Sequence, residues 1–364
     1  MDWSNKTLTF ITGSLTDGGA ERVMSILANQ CAEMGANVSV IIMREKERTY
    51  SLSEKVRCYQ IKTKHDKLTP LRRICALHRI IKSEDVGTLI PFLPIISLYT
   101  LIANIGVGRR IIMSERADPN ISVFSKNMSM KDRIGNLLMR KLGLFRLADW
   151  MVFQTPDAQK WYSKDIQKKS CIIPNPLDTE HLPKRYHGER EKRIVAAGRF
   201  SEEKNFPMLL KAFAVFHSQH PDYSLDLYGD GPQRMQYEKI CTDLGIRDAV
   251  EMPGFVRDLT DKINKAAIYI STSNHEGISN SMLEALGMGI PTIVTDCPVG
   301  GSRMFVHTDK NGILISMNDC NALVKGMIKI VSDLKYAEEI SKNAEQIRIQ
   351  LSAQNICSRW LELV

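Results

Sequence analysis

The chain has eight cysteines but no Cys-x-x-Cys pair. Thiols scattered singly exclude a disulfide framework or a zinc knuckle as the organising device, and they suit a reducing compartment. Asp-x-Asp, the spacing that sets two carboxylates on one metal ion, is also missing, so no metal site is expected. There is no internal repeat and no low-complexity tract. The amino terminus has Asp2 and no basic segment ahead of an apolar run, so no signal peptide is expected. Charge is absent from residues 86–108, a run long enough to raise a membrane span of about 20 residues. Pro91 and Pro94 break that run, and Gly87, Gly106 and Gly108 flank it. It therefore reads as a buried strand followed by a core helix, not as a span.

The 364 residues, 43% of them hydrophobic, exceed one typical domain and can build two cores. Strand signals at 8–11, 37–43, 86–91, 110–114, 151–154, 170–173, 194–197, 225–228, 250–252, 267–271, 291–296 and 312–316 alternate with helical ones. This βαβ pattern predicts an α/β protein with parallel sheets. Residues 174–193 combine prolines and charge without periodicity and read as a linker between two Rossmann-like halves, 1–180 and 181–344.

The densest chemistry lies in His275-Glu276-Gly277-Ile278-Ser279-Asn280-Ser281-Met282-Leu283-Glu284, where two carboxylates stand eight residues apart. A strand precedes the segment and a helix over 279–286 follows. Glu276 thus falls on a strand-to-helix loop at the carboxyl edge of a sheet, where ligands collect. Both acids can accept hydrogen bonds from sugar and ribose hydroxyls. Ser281-x-x-Glu284 is equally a capping box, in which Glu284 only closes its own helix. Upstream, the loop Gly198-Arg199-Phe200-Ser201-Glu202-Glu203-Lys204-Asn205 follows a buried strand and offers two cations to a diphosphate, although surface cations are common. Gly229-Asp230-Gly231-Pro232 and Pro253-Gly254-Phe255-Val256 end two further strands. The first lacks the third glycine of a dinucleotide fingerprint. Near the amino terminus, Asp17-Gly18-Gly19-Ala20-Glu21-Arg22 opens an amphipathic helix. Its backbone amides form an anion site that glycine leaves uncovered.

Taken in order, these segments resemble the family 4 (GT4) retaining glycosyltransferases of the GT-B fold, through Glu-x7-Glu, Gly-Arg-x4-Lys-Asn, Gly-x-Gly-Pro, Pro-Gly-x-Val and Gly-Gly-Ala-Glu-Arg. The resemblance spans nearly the whole chain. It implies two Rossmann-like domains facing across a cleft, with a final helical region, about 345–364, packing back on the first. In such enzymes Arg199 and Lys204 would neutralise the diphosphate of a nucleotide sugar, UDP-linked by resemblance, and Glu276 would orient the sugar. Gly18 and Gly19 would leave room for phosphate. Ile278, Ser279, Asn280, Ser281 and Glu284 would complete the nucleotide-sugar site. The backbone at Gly254 and Phe255 would meet the base, unless the Phe255 ring is an ordinary core aromatic. Transfer would be retaining and independent of metal or other cofactor, with the cations stabilising the leaving diphosphate.

One departure concerns Ser114-Glu115-Arg116-Ala117-Asp118-Pro119, where many relatives carry a histidine and this chain has none. A subgroup making bacterial surface polysaccharides and lipid-linked glycans has a similar segment, so Glu115 and Arg116 are read as lining the sugar or acceptor pocket. His275 reads as a support for its loop.

Up to Pro183 the chain has 27 Lys and Arg against 18 Asp and Glu, and beyond it 22 against 23. The positive excess therefore belongs to the domain expected to meet the acceptor. It suits a polyprenyl-diphosphate-linked glycan or an anionic membrane surface. No nucleic-acid motif accompanies the charge. Residues 128–150 read as a basic amphipathic helix, fit for membrane contact or for core packing, and the basic stretch 62–82 joins the same reading. The expected place is the cytoplasm, peripheral on the inner face of the cell membrane. A non-catalytic sugar-nucleotide-binding subunit of another transferase is the competing function.

Overall fold

The computed structural model describes residues 2–16, 18–44, 49–61, 69–116, 118–119 and 130–364. Asp17, Ala117, residues 62–68 of the basic stretch and residues 128–129 of the amphipathic one lie outside the described residues. The chain divides into two compact units, Met1–Pro176 with Leu351–Val364, and Leu177–Gln350.

In the first unit, β1 (Thr7–Thr12), β2 (Asn37–Ile42), β3 (Arg57–Gln60) and β4 (Thr88–Pro91) form a parallel sheet in the order β3-β2-β1-β4. Strands β5 (Ile112–Glu115), β6 (Trp150–Phe153) and β7 (Ser170–Ile172) form a second parallel set. Bridges from Leu89 to Ile111 and from Phe92 to Ser114 run between β4 and the β5 segment. The central strands are almost wholly buried, which is why they read as unbroken apolar runs instead of alternating ones. Helix Gly19–Glu33 packs Val23, Met24, Leu27, Ala28 and Cys31 inward.

The uncharged run becomes β4 followed by helix Pro94–Ala103. Pro94 occupies the first turn, where its missing N–H costs nothing, so this proline starts a helix instead of breaking one. Among the described residues no helix is long and apolar enough to cross a membrane. The amphipathic stretch is not one helix. Helix Met130–Lys141 stops at Gly143, which takes a left-handed conformation, and a short 3-10 turn, Leu144–Leu147, leads into β6. Phe145 is buried, while Leu142 and Leu147 are 65% and 63% exposed.

The carboxyl-terminal region also breaks, into helices Leu334–Glu345, Ile347–Gln350 and Ala353–Leu361. The last belongs to the first unit. There its fully buried Trp360 stacks on Phe92, centroids 6.2 Å apart, and the Cys357 thiol lies 3.7 Å from the Leu27 carbonyl.

The second unit holds six parallel strands, β8 (Glu191–Ala197), β9 (Ser224–Tyr228), β10 (Val250–Gly254), β11 (Ala266–Ser271), β12 (Thr292–Thr295) and β13 (Ile313–Ile315). Their order is β10-β9-β8-β11-β12-β13. An aromatic cluster of Phe200, Phe206 and Tyr237, with Phe213 and Phe216 nearby, fills one side of the core. The stretch expected as a linker is packed from Leu177 onward. Arg348 donates to the carbonyls of Thr179, Leu182 and Pro183 and to that of Gly287. Arg190 binds those of Asn264, Ala266 and Gly289. These half-buried guanidiniums tie down a strap that has no ladder of its own. Strand order reverses between β8 and β11, and at such a switch point a crevice opens outside the carboxyl ends of the strands.

Candidate nucleotide-sugar site

The loops at that switch point are built from close backbone approaches. The Gly198 amide donates to Tyr228 O and the Phe200 amide to Asp230 O, both at 2.9 Å, and the Gly229 amide donates to Gly254 O at 2.8 Å. This sews together the ends of β8, β9 and β10. A Cβ on Gly229, whose φ is +131°, would stand 2.0 Å from Gly198 O. One on Gly231 would stand 2.5 Å from Phe200 O. The Gly-x-Gly pair is therefore a contact between loops. Gly198 leaves space for the aliphatic stem of Lys204, whose Cε would be 2.9 Å from an added Cβ.

The turn Glu202–Lys204 ends at Asn205 in a left-handed conformation, φ +47°. Asn205 Nδ2 donates to the side-chain oxygens of Asn274 (3.2 Å) and Asn318 (3.0 Å). The Thr272 hydroxyl donates to the carbonyls of Lys204 (3.0 Å) and Asn205 (3.1 Å), and the Asn274 amide to Glu203 O at 2.8 Å. These bonds clamp the β8 loop onto the β11 loop. The result is an ion pair between Lys204 Nζ and Glu276 Oε2, which also accepts from Ser273 Oγ at 3.3 Å. Both partners are about one-fifth exposed, 19% and 23%. Arg199, on the same loop as Lys204, is exposed, and no described residue pairs with its side chain.

Helix Asn280–Gly287 starts beyond Glu276, and its cap is Ser279, whose hydroxyl accepts from the Met282 amide. The capping-box reading from Ser281 is thereby corrected. Ser281 Oγ instead bonds Tyr269 Oη (2.8 Å) and Ser279 Oγ (3.1 Å). Glu284, five residues beyond that cap, is 5% exposed. Ile278 is buried and Asn280 is the first helical residue. Burial pushes the Tyr269 hydroxyl far up, and the Glu276 charge adds to the shift, so Tyr269 stays protonated. Gly254 has φ +84°, and the Phe255 ring is 51% exposed, which excludes the reading of a core aromatic.

Sequence reasoning missed the clamp residues Thr272, Asn274 and Asn318, and also the turn after β12, Cys297-Pro298-Val299-Gly300-Gly301-Ser302. The Pro and Gly-Gly were a turn signal, but their neighbour across space was not readable. Cys297 is buried, and its thiol is pushed up to about 12 by burial, with the Glu276 carboxylate contributing.

In the first unit, Gly18 is the N-cap of helix Gly19–Glu33 with no side-chain cap. A Cβ there would collide with the Glu21 carboxylate at 1.9 Å. Glu115, at the end of β5, is 2% exposed and turned into the unit. It accepts from Tyr162 Oη at 2.7 Å and lies 3.5 Å from Arg140 Nη2. Arg116 is buried against Phe92 and Trp360, with ring centroids 4.8 and 5.4 Å from Cζ, and it donates to Ser114 Oγ and Asn175 Oδ1. Burial lowers its guanidinium to about 9.

Residues 178–347, nearly the whole second unit, match the family model described as "Glycosyl transferases group 1". An uncharacterized glycosyltransferase of Haemophilus influenzae is 25% identical over 96% of this chain and 97% of its own length. A Campylobacter jejuni protein is 25% identical over 98% of both chains, and it is named as the α-1,4-N-acetyl-D-galactosaminyltransferase acting on a GalNAc-containing diNAcBac-PP-undecaprenol. Among solved structures, Anabaena HepE in complex with UDP and glucose superposes with a TM-score of 0.81 at 17% identity, covering 99% of both chains. Sucrose-phosphate synthase of Thermosynechococcus elongatus gives 0.82 at 17% identity, covering 99% of this chain and 98% of that one. The fold is GT-B. The family match and the named relatives support a glycosyltransferase similar to the GT4 enzymes, by class a hexosyltransferase.

Proposed function

We propose that the protein moves a hexose or N-acetylhexosamine, with retention and without a metal ion, from a UDP-sugar to a lipid-linked oligosaccharide in bacterial surface polysaccharide synthesis. The observation that carries the donor half is the Lys204–Glu276 pair, which brings the cation of one motif and the acid of another to the switch point of the second sheet. On binding, the diphosphate takes over Lys204 together with the free Arg199 side chain, and Glu276 turns to the sugar hydroxyls. Glu284 serves the ribose. The amides around Ile278, Ser279, Asn280 and Ser281 serve phosphate and sugar oxygens, and Gly254 and Phe255 border the base. As the bond from the anomeric carbon to the phosphate oxygen breaks, the two cations hold the charge that develops on the leaving diphosphate. The acceptor oxygen bonds to the same face of that carbon, and its proton passes to the departing phosphate. Glu115 is buried against Tyr162 and Arg140, a placement that suits holding the β5 edge better than direct contact with the sugar.

The acceptor half rests on the name of the Campylobacter relative and on the surface of the first unit. Exposed Leu137, Leu138, Leu142 and Leu147 stand among Arg133, Lys141 and Arg146, a composition that suits the cytoplasmic face of an anionic membrane. The test is thermal stabilisation and donor hydrolysis across UDP-, GDP- and ADP-sugars without added metal, in wild type and Glu276→Ala. Stabilisation by UDP-sugars with Glu276-dependent hydrolysis supports the reading. Equal indifference to all donors points instead to a partner subunit.

A further inference from the structure

The turn after β12 touches the Glu276 loop through backbone alone. Gly301 is buried, and a Cβ built on it would lie 1.7 Å from Gly277 O, 2.8 Å from Gly277 C and 3.2 Å from Ile278 Cα. No flexible side chain is there to swing aside. The φ of Gly301 is not in the left-handed region, so the obstacle to a larger residue is space and not torsion. The approach is enforced by a strained turn: Val299, β-branched, has φ +56°, and Gly300 has φ +68°. A left-handed β-branched residue is an outlier that persists only where its surroundings over-determine it, and such residues gather at functional sites. The surroundings here are explicit. The Gly300 amide donates to Cys297 O (3.2 Å) and the Met304 amide to Gly300 O (3.2 Å). Arg303 Nε pairs with Asp296 Oδ1 at 2.6 Å, and the Thr295 hydroxyl donates to Ser273 O at 2.6 Å. Residues on both sides of Glu276, Ser273 and Gly277, are therefore pinned by β12 and its turn.

We propose that Gly301 is a positioning residue: by seating the Gly277–Ile278 backbone, it sets where the Glu276 carboxylate meets the sugar of the donor. This rests on the reading of Glu276 given under Proposed function. The cations for the diphosphate stand on the other loop. Disturbing Gly301 should therefore weaken recognition of the sugar more than recognition of the nucleotide.

The experiment compares wild type, Gly301→Ala and Gly326→Ala. Gly326 lies in helix Cys320–Ser332, where a Cβ would press on Ile293 Cδ1 at 3.1 Å, a packing insult on a side chain outside the site. Calorimetry gives the affinity for UDP and for the UDP-sugar that stabilises wild type, and steady-state assays give kcat. In Gly301→Ala the UDP-sugar affinity and kcat should each fall by about tenfold while UDP binding holds within about twofold. Gly326→Ala should keep the wild-type ratio of the two affinities. Equal loss of both ligands in Gly301→Ala, or no loss of either, overturns the proposal. If Gly301→Ala does not fold, Val299→Gly, which relaxes the strained turn without adding an atom, should shift the same ratio in the same direction; an unchanged ratio there overturns it. Failure of wild type to bind UDP would overturn the donor reading itself, an outcome separate from either variant.

Discussion

Lys204 and Glu276, 72 residues apart, are joined as an ion pair, and Ser273 makes a second contact to the same carboxylate oxygen. Each charge of the pair satisfies the other, while Arg199 on the same loop is exposed. A donor diphosphate would break the pair and rebuild it around itself. Removing either partner leaves the other without its counter-charge.

Lys204→Ala and Arg199→Ala should each lower kcat/KM for the donor by about 10²-fold, the scale seen when one preorganised charge-stabilising donor is removed. Steady-state kinetics with a UDP-sugar checks this. Rates near wild type in both variants would sink the diphosphate assignment.

Glu276→Gln keeps the shape of the side chain and removes its charge. UDP should still raise the melting temperature of this variant, because the cations and the helix amino terminus are intact. Transfer and donor hydrolysis should fall to background. A variant that loses UDP binding and turnover together would place Glu276 on the nucleotide instead of the sugar.

Thiol labelling tests the interior. Cys58 and Cys75 are exposed, whereas Cys241 and Cys297 are buried with thiols pushed up to about 11 and about 12. The thiolate is the reactive form, so at pH 8 iodoacetamide should modify Cys58 and Cys75 and leave Cys241 and Cys297 unmodified until denaturant is added. Peptide mass spectrometry reads the order.

Trp360 has no exposed surface and is stacked on Phe92, with Arg116 over its ring. Trp360→Ala should destabilise the first unit by about 3–5 kcal/mol, the usual range for truncating a buried aromatic. Urea unfolding followed by fluorescence measures the loss.

Leu142→Glu with Leu147→Glu replaces two of the most exposed leucines on the basic face. The double variant should lose co-sedimentation with vesicles containing anionic lipid while keeping donor hydrolysis. Unchanged sedimentation would remove the membrane from the proposal.

Much of the architecture was legible because parallel strands covered on both faces leave unbroken apolar runs, as in Leu8-Thr9-Phe10-Ile11 and Ala267-Ile268-Tyr269-Ile270. Strand β3 was not, since Arg57-Cys58-Tyr59-Gln60 forms a half-exposed edge with no such signature. The acid and cation motifs were visible as spacings, but their pairing depends on the Thr272 and Asn205 clamp, which joins segments 67 or 68 residues apart. Ser279 and Ser281 were indistinguishable as caps until the first turn of the helix fixed its phase. Proline and charge between 174 and 193 looked like free linker because the side chains that capture it, Arg348 above all, come from far along the chain.

That capture sets the practical limits of the second unit. A fragment opened at Glu191 would begin with the first residues of β8 and discard the strap, leaving Arg348 without three of its four carbonyl partners and Gly287 without the cover of Leu177 and Leu182. One that starts at Leu177 and runs to Gln350 keeps strap and clasp together. Any transplant of the second unit therefore has its natural seam at the two points where the chain passes between units, and not within the strap.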